Sequence, residues 1–156
     1  VPSGPVDTVL PRKGIGFTTY GRTGGGANQA GTGRFVDDLQ ELGRRWSGTG
    51  GTPISFGDIS SPGGGDMPGH QGHERGREVD VRPFRDDGRN APVTWRSPQY
   101  DRAATREFVQ MVRQEHPDAT ILFNDPELVR EGLVQRYDGH DNHLHLRLPG
   151  GRRRGR

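Results

Sequence analysis

His143-Leu144-His145-Leu146-Arg147-Leu148 alternates strictly between polar and apolar side chains. Successive side chains of a β-strand point to opposite faces. Leu144, Leu146 and Leu148 therefore turn toward a core, while His143, His145 and Arg147 share the other face. The segment predicts one strand of a sheet that is apolar on one side and carries polar chemistry on the other.

Other elements assemble around it. Val79-Asp80-Val81 reads as a second short strand, with Asp80 pointing away from its valine neighbours. Gly16 to Tyr20 and Thr52 to Ile59 read as strands, and Ile121-Leu122-Phe123 as a buried one leading into the turn signal Asn124-Asp125-Pro126. Phe35, Leu39, Leu42 and Trp46 recur at intervals of four, three and four, which predicts an amphipathic helix from Arg34 to Trp46. Ser47-Gly48-Thr49-Gly50-Gly51 ends it. A second helix is predicted from about Asp101 to His116. Ala104, Phe108, Met111 and either Val112 or Glu115 mark its buried side, and Pro117 stops it. His116, at that helix end, reads as structural. Residues 21–33 and 61–69 read as Gly-rich loops; the first lacks the Lys-Ser/Thr ending of a phosphate loop.

The fold class expected is α+β: a small antiparallel sheet carrying the polar cluster, flanked by two main helices and long Gly-rich loops. The 156 residues suit one domain, residues 1–149, that opens with an extended, Pro-containing arm. Residues 150–156, Gly-Gly-Arg-Arg-Arg-Gly-Arg, form a basic tail. The hydrophobic fraction is 28%, with 26 Gly and 12 Pro, so the core is modest. A formal net charge of +2 gives little long-range steering. The absence of cysteine removes disulfides, thiolate metal sites and thiol nucleophiles together. No stretch is long and apolar enough to span a membrane, and no signal peptide is visible at the start.

The histidines carry the chemistry. Five of six fall in two groups: His70 and His73, then His140, His143 and His145. A strand spacing of two puts His143 and His145 on one face. Asp80 sits on a strand too, seven residues after His73 and beyond a bend at Gly76. Two neutral imidazoles and one carboxylate, with a fourth position left to water, are a common ligand set for catalytic zinc. The helical zinc motifs H-E-x-x-H and H-x-x-E-H are absent, as is a G-x-S-x-G serine elbow.

Four runs, Gly57-Asp58-Ile59-Ser60, Met67 to Asp80 (MPGHQGHERGREVD), Phe123-Asn124-Asp125-Pro126 and Gly139 to His145 (GHDNHLH), resemble penicillin-insensitive murein endopeptidases. These belong to the lysostaphin / D-Ala-D-Ala peptidase / hedgehog group of zinc enzymes, defined by H-x(6)-D followed far downstream by H-x-H. The resemblance covers most of residues 52–148. It implies zinc (Zn2+) held by His73, Asp80 and His145, with His143 beside the metal and His70 and His140 lining the site. It also implies a zinc metallopeptidase acting on peptidoglycan peptides, in the periplasm or outside the cell. His143 is then the favoured general base and His140 the runner-up, with Glu74 and Glu78 as weaker alternatives. Substrate carboxylates would suit Arg75, Arg77, Arg82 or Arg147. Nucleic acid is not the expected partner. A metal-dependent nuclease, or a zinc-containing wall-binding module without turnover, are the other readings of the same residues.

Overall fold

The computed structural model describes residues 6–59 and 76–149. The expected positions of His70, His73, Glu74 and Arg75, the loop 61–69 and the tail 150–156 lie outside them. The first elements are β1 (Val6–Val9), β2 (Lys13–Gly14) and β3 (Phe17–Thr19), then a 3-10 turn at Gly24–Gln29 and β4 (Ala30–Thr32). Helix α1 (Gly33–Ser47) leads to β5 (Ile54–Ile59) and β6 (Glu78–Val81). Helix α2 (Arg102–Glu115), β7 (Thr120–Leu122), α3 (Pro126–Arg130) and β8 (Leu144–Arg147) complete the order.

Both long helices stand where periodicity predicts them. Thr32 caps α1, its hydroxyl accepting from Phe35 N–H at 3.1 Å, and Asp101 caps α2 by accepting from Ala104 N–H at 3.0 Å. Phe35, Leu39, Leu42 and Trp46 are all buried. On α2 the buried stripe is Thr105, Phe108, Val109 and Val112, while Ala104 and Met111 sit at its edge. Thr105 belongs inside because its hydroxyl satisfies Phe84 N–H at 3.1 Å and donates to Asp101 C=O at 2.9 Å.

Six strands form one sheet in the order β2-β3-β5-β6-β8-β7. It is mixed rather than purely antiparallel, because β3 runs parallel to β5; β5, β6, β8 and β7 pair antiparallel. A separate antiparallel pair joins β1 to β4. Part of the N-terminal arm and of the first Gly-rich loop is thus ordered strand. Gln29 ties that loop down: its buried amide donates to Gly57 C=O at 3.0 Å and accepts from Arg22 at 2.8 Å.

The β6–β8 register decides where the polar side chains go. Val79 lies opposite Leu146 and Val81 opposite Leu144, so these four face the same way. They join Ile54, Phe56, Ile121 and both helices in one core. Trp46 of α1 meets Phe108 of α2 edge-on at 5.8 Å, which sets both helices on that face. Glu78 and Asp80, opposite Arg147 and His145, take the other face. Among the described residues, no helix is long and apolar enough to cross a membrane.

Candidate metal centre

Asp80 and His145 are direct cross-strand partners, so their side chains rise side by side. Nδ1 of His145 lies 3.2 Å from Oδ1 of Asp80. Two donor atoms each ~2.0–2.2 Å from a tetrahedral ion are themselves about 3.3–3.5 Å apart, so this pair is set close to the spacing of two ligands of one ion. On the far side of the ring, Nε2 of His145 is 2.6 Å from Oε1 of Glu78. Burial opposes a charge on His145, but the hydrogen bonds to Asp80 and Glu78 outweigh it and raise its pKa above the usual imidazole value.

His143, just before β8, brings Nε2 to 3.8 Å from Asp80 Oδ1, while its Nδ1 meets Asn142 Oδ1 at 2.8 Å. Burial, with the neighbouring imidazoles of His140 and His145, lowers its pKa against the pull of Asp80. His140 packs on His143 with ring centroids 4.6 Å apart and meets His145 edge-on at 6.0 Å. Its Nδ1 lies 3.2 Å from Tyr137 C=O and 3.0 Å from Asp138 C=O. Carbonyls only accept, so Nδ1 carries the proton and Nε2 holds the lone pair. Among the described residues that Nε2 is buried without a hydrogen-bond partner. A buried acceptor nitrogen of this kind is suited to a water, an ion or a substrate donor.

Local chemistry explains how the loop presents these rings. Gly139 adopts φ 84, a left-handed turn that only glycine takes freely, directly before His140. Gly76, at φ 79, makes the corresponding bend before β6. Asn124 anchors the loop from below. Its N–H donates to His140 C=O at 3.0 Å, its Oδ1 accepts from Tyr137 N–H at 2.8 Å, and its amide donates to Asp141 at 2.9 Å. The Asn124 donor, helped by Trp95, lowers the pKa of Asp141 against burial. Its chain neighbour Asp125 is itself held on several sides. Fully buried, it accepts from Tyr100 O–H at 2.6 Å and from Arg102 at 2.8 and 3.1 Å. It also caps α3 through Glu127 N–H at 3.0 Å.

Asp80, His140, His143 and His145 are thus brought together; His70, His73 and Arg75 lie outside the described residues. Among the described residues, no three His, Cys, Asp or Glu side chains are grouped so as to hold a metal ion. Of the candidate substrate arginines, Arg147 stands one strand step beyond His145, opposite Glu78. Arg77 is buried at 6% exposure. Two residues at the rim escaped the site reading or were left at its margin. Tyr20 covers Gly57, where an added Cβ would lie 2.5 Å from its ring. Burial first, then the charge of Asp80, raises its phenol pKa. Arg82 stacks 4.0 Å above the Tyr20 ring and donates to Asn90 at 2.7 Å.

No protein-family model matches this chain, and no curated protein does. The donor set fits zinc in type: a carboxylate and an imidazole at ligand spacing, beside two more imidazoles.

Proposed function

We propose that this chain is a zinc-dependent peptidoglycan hydrolase that cleaves a peptide bond in the stem or cross-link. The supporting observation is the Asp80–His145 pair, juxtaposed by strand register at 3.2 Å, with the His143 ring and the Nε2 of His140, which has no partner among the described residues, beside it. The substrate class follows from the resemblance of the histidine and aspartate runs to murein endopeptidases, and so does a periplasmic or extracellular setting.

In this reading His73, Asp80 and His145 hold the ion. When bound, zinc supplies Lewis acidity toward the scissile carbonyl and the attacking water. His143 accepts the water's proton at Nε2 and returns it to the leaving amine; Asn142 fixes the ring by claiming Nδ1. His140, its proton held on Nδ1 by main-chain carbonyls, offers Nε2 as an acceptor to a substrate N–H or to water. His70 contacts substrate. Arg82 and Arg147 flank the site and suit the carboxylates of a peptide stem, with Arg75 and Arg77 the further basic candidates.

The test is digestion of purified peptidoglycan by the chain with zinc, and with chelator, read by mass spectrometry of the muropeptides. New free amines that vanish with chelator are expected. DNA is digested alongside: cutting of DNA with intact muropeptides would replace this reading with the nuclease one. Wall binding without new amines would replace it with a silent binding module.

A further inference from the structure

We propose that Glu78 is the positioning residue of this site: by holding Nε2 of His145 it fixes Nδ1, the nitrogen beside Asp80, as the one turned toward a cation. The inference rests on the zinc reading given above.

A neutral imidazole has one N–H and one lone pair. An ionised carboxylate only accepts, so an Nε2 held 2.6 Å from Glu78 carries a proton. Nδ1 faces the Asp80 carboxylate at 3.2 Å, so a cation taken up between them would displace any proton on Nδ1 and use its lone pair, while Nε2–H stays on Glu78. The two ring nitrogens diverge, so Glu78 cannot share an ion with Nδ1 and Asp80; its carboxylate lies behind the ligand. The contact is also dry, with side-chain exposures of 5% for His145 and 3% for Glu78. A carboxylate that deep is costly unless donors meet its charge.

The three clustered imidazoles make the case by contrast. His140 and His143 each have Nδ1 claimed, by main-chain carbonyls and by Asn142, and so present Nε2. His145 differs: its Nε2 is held by Glu78 and its Nδ1 is the nitrogen turned to Asp80. Glu78 makes that difference. It sits two residues before Asp80 on β6, so one strand supplies both a ligand and the group that aims the ligand opposite it.

Zinc affinity is measured on the full chain by competition with a chromophoric chelator, for wild type, Glu78→Gln and Glu78→Ala. Loss of a carboxylate behind a metal-bound histidine weakens metal binding ~10–100-fold. That drop is expected for Glu78→Ala, with Glu78→Gln intermediate because its amide no longer dictates the tautomer. Long-range ¹H–¹⁵N spectra of the zinc-loaded chain supply a second readout: the His145 proton sits on Nε2 in wild type. Glu78→Gln keeps the side chain's shape, so it decides the matter if Glu78→Ala does not fold. Wild-type affinity in Glu78→Gln and any folded Glu78→Ala, or a His145 proton on Nδ1, overturns the role of Glu78 while leaving the zinc site standing. A wild-type chain that takes up no zinc overturns both.

Discussion

Asp125→Ala tests the platform under the histidine loop. The lost carboxylate is fully buried and serves Tyr100, Arg102 and the first turn of α3. Losing the cap costs about 1 kcal/mol. Losing the bond from the Tyr100 hydroxyl to a buried charge costs about 1.5–3 kcal/mol. The Arg102 pair adds little, because its guanidinium side is 34% exposed and water takes over part of the interaction. The sum is about 3 kcal/mol. At ~2–4 °C per kcal/mol for a chain of this size, the midpoint falls by about 6–12 °C. Thermal melting followed by far-UV circular dichroism measures that fall, and urea titration gives the free-energy loss as a lower midpoint concentration at unchanged slope.

The pH dependence has a definite sign. Burial pushes the Asp125 pKa up, but Arg102, Tyr100 and the Glu127 amide outweigh it, and the folded value lies below the ordinary one. Its contribution is therefore present above the unfolded carboxylate pKa of ~4 and is lost as pH falls through the folded value. Asp125→Asn should flatten that acid limb. A stability loss under 1 kcal/mol for Asp125→Ala, or an acid limb unchanged in Asp125→Asn, refutes the reasoning.

Three further outcomes follow from the packing and the site. On the proposed ligand set, His143→Ala keeps bound zinc but loses most turnover on muropeptides, since its ring stands 3.8 Å from Asp80 beside the proposed ligands; loss of zinc in this variant counts against the assignment. Phe108→Ala, at the contact of Trp46 and Phe84, costs ~3–5 kcal/mol by denaturant titration. Gly57→Ala displaces the Tyr20 ring and costs ~1–3 kcal/mol; an unchanged melting temperature would show that Tyr20 is not seated there.

Much of this arrangement is legible in the chain itself. The apolar stripe of α1 and the alternation of β8 each commit a whole face, so tertiary context had only to accept them. The same period of two that sets Asp80 on the polar face sets Glu78 there, yet its buried partnership with His145 is a matter of cross-strand register. No local pattern states that register. The β1–β4 pairing is likewise silent: two short segments about twenty residues apart, one containing glycine, have no periodicity to declare. The parallel entry of β3 beside β5 depends on α1 returning the chain over the sheet. Asp125-Pro126 reads as a turn, but Pro at the first helical position after an Asp cap equally starts a helix, and α3 takes that course. Tyr20 reaches the site because Gly57, on another strand, leaves room for its ring.

Metal analysis of purified chain, wild type against Asp80→Ala and His145→Ala, goes to the heart of the matter. One zinc per wild-type chain and none in either variant is the predicted result. Stoichiometric zinc surviving in His145→Ala would contradict it, because the ion would then be held by some other set of side chains.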